Sequence, residues 1–197
     1  LSDDAPDLML TAAMRAVTRE TFVPPALASV AYMGEQLEVA PGRYLLDPRS
    51  FAKLTQLSGL KAGERVLDVG GATGYSAAVF AALGANVTSL ESDSALAEAA
   101  KSKAGAGIEV VTGPLAAGHA KNGPYDVIFL NGAVPARPDA LLEQLAPGGR
   151  LVGIVTDRGV GKAHIFLKSA GGHSSRVAFD ATVAPLPGFE SIPSFVF

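Results

Sequence analysis

The 197-residue sequence contains no cysteine and no tryptophan. The first absence removes disulfides, thiolate nucleophiles and cysteine-ligated zinc together, and is compatible with a reducing cytoplasm. Charge is also sparse: charged residues are 18%, with 16 Lys plus Arg against 19 Asp plus Glu, for a formal net charge of −3. That balance supplies no large basic footprint, so neither nucleic acid nor a membrane is expected as a partner. No apolar run approaches the ~20 residues of a membrane span. The opening Leu1-Ser2-Asp3-Asp4 lacks a basic-then-apolar signal pattern and an initiator methionine, so part of the native N-terminus is expected to be missing. The three histidines, His119, His164 and His173, include no pair at metal-ligand spacing, and no metal is expected.

Hydrophobic residues make up 48% of the chain, enough for a core without staples. A chain of this length buries roughly 70% of its unfolded surface. No repeat or low-complexity tract divides it. The expectation is one domain over 1–197, with an N-terminal helical segment (1–60), a core (61–156) and a C-terminal hairpin and tail (157–197).

The first segment reads as irregular. A helix is expected over Asp7–Val17, with Met9, Ala13, Ala16 and Val17 as its apolar stripe. Ala40-Pro41-Gly42 reads as a turn. Asp47 as N-cap, with Pro48 at the first helical position, starts a second helix that runs to about Ser58. From Arg65 onward apolar strands alternate with helix signals. Strands are expected at Val66–Val69, Val87–Leu90, Ile108–Val111, Tyr125–Leu130 and Arg150–Val155. Helices are expected at Tyr75–Leu83, Ser94–Ala104 and Pro138–Leu145. Two further strands, Ala163–Lys168 and Arg176–Asp180, flank Ala170-Gly171-Gly172-His173 as an antiparallel hairpin. The predicted fold is α/β: a doubly wound, mainly parallel seven-stranded sheet with one antiparallel strand near its edge.

Ligands of such sheets bind beyond the carboxyl ends of the strands, where the strand order switches. The first core strand leaves through VLDVGGATGYSA, from Val66 to Ala77. Glycine lets a backbone approach a ligand where a Cβ would clash. Glu91 follows Asp68 by 23 residues, at the end of the second core strand, where an acid can accept the two hydroxyls of a ribose. A G-x-G-x-x-G dinucleotide loop is not present. From Gly70 its glycines fall on Ala72 and Tyr75, and from Gly71 on Thr73 and Ser76. Asp68 beside the loop suits a cation better than a pyrophosphate, and S-adenosylmethionine carries an ammonium, a sulfonium and no phosphate.

Asp68–Gly74 resembles the first motif of class I S-adenosylmethionine-dependent methyltransferases, with Ala72 in place of the usual middle glycine. MRAVTRETFVP (Met14–Pro24), AYMGEQL (Ala31–Leu37), VLDVGGATGYSA, SLES (Ser89–Ser92), Val111–Gly118 and LLEQLAPGGRLV (Leu141–Val152) together resemble the protein-L-isoaspartate O-methyltransferase family, in the same order. The resemblance covers about Ala12 to Val155 and implies a Rossmann-like methyltransferase using S-adenosylmethionine, with S-adenosylhomocysteine as product. It implies that Asp68 orients the methionine ammonium, and that Gly70, Gly71 and Ala72 line the methionine portion with Gly74 and Tyr75 beside it. Glu91 would hold the ribose, with Ser92 beside the adenine and Gly113, Pro114 and Leu115 flanking it. Pro114 stands where the family usually has an aspartate for the adenine amino group.

The family's acceptor loop reads G-x-T-I-S-Q-P. Here the corresponding stretch is Gly42-Arg43-Tyr44-Leu45-Leu46-Asp47-Pro48. The resemblance therefore implies methyl transfer to a carboxylate of a protein, peptide or small molecule more firmly than isoaspartyl repair. Arg43, which can clamp a carboxylate bidentately, and Asn131, whose amide can reach a substrate oxygen, are the candidates near the acceptor. Asn131-Gly132 is equally good turn chemistry, Leu46 can pack into the core, and Asp47 can serve only as a cap. The alternative is a catalytically degenerate cofactor-binding or interaction protein of the same fold.

Overall fold

The computed structural model describes residues 7–190. Chain order begins with α1 (Leu8–Ala16), two 3-10 turns, the hairpin β1 (Leu37–Ala40) and β2 (Arg43–Leu45), and α2 (Pro48–Ser58). The core follows as β3 (Arg65–Val69), α3 (Tyr75–Ala82), β4 (Asn86–Glu91), α4 (Ser94–Lys103) and β5 (Ile108–Thr112). After two more 3-10 turns come β6 (Tyr125–Val134), α5 (Asp139–Leu142), β7 (Leu145–Asp157), β8 (Val160–Ser169) and β9 (Gly172–Asp180).

The seven-stranded sheet has the order β5-β4-β3-β6-β7-β8-β9. β3 to β7 run parallel, and β8 is antiparallel to both β7 and β9. Strand order reverses between β3 and β6, so the crevice of a doubly wound sheet opens at the carboxyl end of β3. Alternation sorts the side chains: Val66, Val127 and Phe129 face α1–α4, while Leu67, Ile128 and Leu130 face the other way, toward α5. Phe51 and Phe80 stack, and Phe129 meets both edge to face, with ring centroids 5.0–5.7 Å apart beneath the first face. Each fully buried ring of this kind contributes roughly 1.5–3 kcal/mol.

α2 starts and stops where its sequence signals put it. The Asp47 side chain accepts from the Ser50 N–H at 2.8 Å, and Gly59 caps the C-terminus in the left-handed region at φ 58. Three local expectations need correction. In α1 the inward residues are Leu10 and Ala13, whereas Met9 is 68% exposed, so the apolar stripe is rotated by one residue. The helix expected over Pro138–Leu145 is a single turn. Leu145 already pairs with Tyr125, and the Pro147-Gly148-Gly149 stretch lies inside β7 as a register shift. β6 runs past Leu130, because Ala133 and Val134 pair with Ile154 and Val155 after a second register shift. Asn131-Gly132 is therefore a bulge inside a strand rather than a turn after it, and bulges re-aim side chains beside sites.

The chain after β9 returns to this bulge. Leu186 N donates to Ala133 O and Ala133 N to Ala184 O, both at 2.9 Å, which lays Ala184–Leu186 across the carboxyl end of β6. The tail expected after the hairpin thus docks on the sheet as far as it is described. Its last part, 191–197, and the opening Leu1–Asp4 lie outside the described residues. No helix among the described residues is long and apolar enough to cross a membrane.

Candidate functional site

β3 carries Asp68 to the rim of the crevice on the face shared with Val66, fully buried. Ser76 Oγ, from the first turn of α3, donates to its Oδ2 at 2.6 Å. Asn131 Nδ2 donates to its Oδ1 at 2.6 Å and to Val69 O at 3.1 Å. A Cβ at position 71 would stand 2.6 Å from Oδ2, so Gly71 makes room for the carboxylate itself. Burial pushes the Asp68 carboxyl up to about 6; the Ser76 and Asn131 donors work against this shift, and the Glu91 charge adds to it. Among the described residues no cation lies within ion-pair distance of Asp68. It is a buried acid with neutral partners only.

The loop from Gly70 to Gly74 turns on three left-handed residues: Gly70 at φ 71, Ala72 at φ 52 and Gly74 at φ 102. Ala72, standing where the usual motif has glycine, accepts a conformation that costs an L-residue roughly 1–2 kcal/mol. The turn aims its N–H at Glu91 Oε2, 2.9 Å away. Gly74 brings the start of α3 against α4: a Cβ there would touch Ala100 Cα at 3.4 Å. Tyr75 is buried between Phe22 and Phe51, with the Arg19 guanidinium 4.8 Å from its ring centroid. Desolvation raises its phenol, with Arg19 opposing.

Glu91, at the end of β4, is also fully buried. Its Oε1 accepts from Ser92 N at 2.8 Å and Asp93 N at 3.3 Å. Arg43 reaches it from β2, with Nη1 2.5 Å from Oε1 and Nη2 2.8 Å from Oε2. Gly113 follows β5 beside it, its N–H on Glu91 O at 3.0 Å, and Leu115 is buried while Ser92 and Pro114 are exposed. A Cβ at Gly70 would stand 2.6 Å from Leu186 Cδ2, 3.4 Å from Leu115 Cδ1 and 3.5 Å from Arg43 Nη2. The loop, both acids and Leu115 therefore converge on one crevice.

The sequence model of the family described as Protein-L-isoaspartate(D-aspartate) O-methyltransferase matches residues 7–186. The chain belongs to that family. It is 40% identical over 149 residues to the protein-L-isoaspartate O-methyltransferase of Methylorubrum populi, covering 74% of this chain and 70% of the relative. A solved protein-L-isoaspartate O-methyltransferase superposes with a TM-score of 0.82 at 25% identity, over 93% of this chain and 63% of its own. The Plasmodium falciparum protein solved with S-adenosyl-L-homocysteine gives 0.81 at 19% identity, over 93% and 92%, a likeness of fold.

The resemblance sets Gly42–Pro48 against the acceptor loop of this isoaspartyl methyltransferase family. Leu46 is 4% exposed in the core and Asp47 is spent on capping α2, so neither turns a polar group to an acceptor. Arg43, expected near the acceptor, is bound to Glu91, a buried carboxylate that offsets the cost of burying the guanidinium. Asn131, also expected to meet the acceptor, turns its amide onto Asp68, because the bulge in β6 re-aims it. Two participants were not predicted. Ser76 sits in the first turn of α3 on the side facing Asp68, a placement that helical geometry alone could have suggested. Leu186 left no sequence signal, since only the return of the chain to β6 brings it to Gly70.

S-adenosylmethionine fits the chemistry of this donor set at one end and conditionally at the other. Asp68 is a buried acid lacking a cation, and the cofactor's amino group supplies one. Glu91 is an acid of the kind that accepts ribose hydroxyls, but here both of its oxygens are bound by Arg43.

A cavity of about 410 Å³ adjoins the exit of the glycine loop and shares Tyr75 with it. Arg15, Arg19, Tyr32 and Pro48 also line it. Arg19 is 1% exposed, its Nε on Ala31 O at 2.7 Å and its Nη2 on Leu46 O at 2.8 Å. Burial lowers the Arg19 pKa from its ordinary value, with Tyr75 and Asp47 opposing. Of the histidines, His173 Nε2 lies 3.1 Å from Leu142 O and His164 stacks on Phe166, both far along the sheet from the crevice.

Proposed function

We propose that the protein transfers the methyl group of S-adenosylmethionine to a carboxylate on a protein or peptide. The observation that carries the reading is Asp68: a fully buried carboxyl at the glycine loop with neutral partners only, in a chain of this family. When bound, the cofactor supplies an electrophilic methyl on a sulfonium, and the C–S electron pair leaves with sulfur as the new C–O bond forms. Asp68 holds the ammonium, oriented by Ser76 and Asn131. Gly70, Gly71, Ala72 and Gly74 bring backbone close to the methionine portion, with the Tyr75 ring packed behind them. Glu91 and Ser92 bind the nucleoside, and Gly113, Pro114 and Leu115 flank its base.

A carboxylate is ionised at neutral pH, so no general base is required of the protein. The protein's task is alignment and exclusion of water, worth up to ~7–11 kcal/mol. The cavity beside Tyr75 is where an anionic acceptor would be received, because Arg15 and Arg19 line it with positive charge. The cytoplasm, where S-adenosylmethionine is made, is the compartment this reading implies.

The test has two stages. Calorimetry measures S-adenosylhomocysteine binding, with NADH as control. A labelled methyl donor is then offered with an isoaspartyl peptide and its aspartyl counterpart. The expected result is product binding, no NADH binding, and a base-labile methyl ester on the isoaspartyl peptide. Binding without label on either peptide removes the peptide acceptor, and loss of binding removes the cofactor reading altogether.

A further inference from the structure

Two side chains in the crevice have no part in that chemistry. Arg43 covers both oxygens of Glu91, and Leu186 lies against Gly70. We propose that Arg43 sets the affinity for the adenosyl cofactor by competing with its ribose for Glu91. The inference rests on the functional reading above.

The competition follows from counting donors. Glu91 accepts from three backbone N–H groups, those of Ala72, Ser92 and Asp93, and twice from the Arg43 guanidinium. A carboxylate has about four lone-pair sites. Five donors leave none for a ribose hydroxyl, and without Arg43 the three backbone donors leave one site open. The backbone donors are fixed by the glycine loop and the start of α4. Arg43 alone contributes a side chain, and that side chain is long, springs from a three-residue strand, and has one further contact, Gly70 O at 3.5 Å. It is the donor able to leave.

Charge points the same way. A guanidinium kept in the crevice repels a cationic ligand, and its withdrawal leaves two acids, Asp68 and Glu91, to receive one. Leu186 borders the same glycine, so the crevice beside Gly70 has an apolar wall next to the Arg43 guanidinium. A purely structural ion pair makes a different prediction: removing Arg43 would then strip support from Glu91 and weaken the ligand.

The experiment compares S-adenosylhomocysteine with its 2′,3′-dideoxy analogue by calorimetry on the full chain, on Arg43→Gln and on Arg43→Lys. Hydrogen bonds to a charged group are worth enough that the hydroxyls should cost Arg43→Gln about tenfold or more when deleted. In the unmodified protein the same deletion should cost about threefold or less, because Arg43 takes back what the hydroxyls vacate. Arg43→Gln should bind S-adenosylhomocysteine about tenfold tighter, and Arg43→Lys, a point charge unable to span both oxygens, should fall between. If Arg43→Gln does not fold, the lysine variant and the analogue pair on the unmodified protein decide. Unchanged or weaker binding in the variants, or a full hydroxyl penalty in the unmodified protein, overturns the proposal while leaving the functional reading intact. Absence of binding to all three proteins overturns both.

Discussion

The side-chain amide of Asn131 lies 2.6 Å from Oδ1 of Asp68, joining the bulge of β6 to the end of β3 across 63 residues of chain. The contact completes a neutral shell around a buried acid. Ser76 closes the other oxygen, so the carboxyl is held in one orientation without a counter-charge. An acid left in that condition is costly to ionise until a cation arrives, which makes the site's behaviour depend on pH.

The first prediction concerns that dependence. With the Asp68 carboxyl at about 6 when folded and 3.8 ordinarily, the folded protein holds the proton more tightly. Its contribution to stability is complete below the ordinary value, falls as pH rises toward about 6 and is lost above it, a loss of about 3 kcal/mol. Asp68→Asn should abolish that slope in denaturation measured from pH 4 to 7. Ligand binding runs opposite: S-adenosylhomocysteine should bind more tightly as pH rises to about 6, by up to about tenfold per unit, and then level off. Calorimetry across that range checks the point, and a flat profile would place the ammonium away from Asp68.

A second prediction separates the acceptor loop from its relatives. Leu46 is packed in the core beside α2. Leu46→Ser, which introduces the serine that the resemblance to the family loop implies, should cost about 2–5 kcal/mol in urea unfolding. It should not raise methyl transfer to an isoaspartyl peptide, since position 46 is buried in the core. Unchanged stability would show the loop to be loosely held.

A third isolates scaffold from site. Arg150 on β7 binds Glu64 with two contacts of 2.8 Å and donates to Ser58 O at 2.5 Å and Gly59 O at 2.9 Å, pinning the end of α2 to the sheet. Arg150→Ala should lower unfolding free energy by about 3 kcal/mol, the scale of charged hydrogen bonds lost in a part-buried setting. The dissociation constant for S-adenosylhomocysteine should stay within about twofold, because additivity holds between distant sites. Loss of affinity in step with stability would couple this clamp to the crevice.

Much of this molecule is written in short-range pattern. The Asp47-Pro48 start and Gly59 stop of α2, the alternation of β3 and β6, the glycine loop and the acid ending β4 all follow from residue type and spacing, because caps, strand periodicity and left-handed turns are settled within a few residues. The sequence alone thus determined the fold class, the place of the crevice and the two acids that define it. Only the tertiary structure decided who their partners are. Arg43 reaches Glu91 across 48 residues, Asn131 reaches Asp68 through a register shift, and Leu186 arrives at Gly70 from beyond the last strand. Such partnerships depend on which buried charge lies nearest and on how the strands align, and neither quantity exists until the chain has closed on itself.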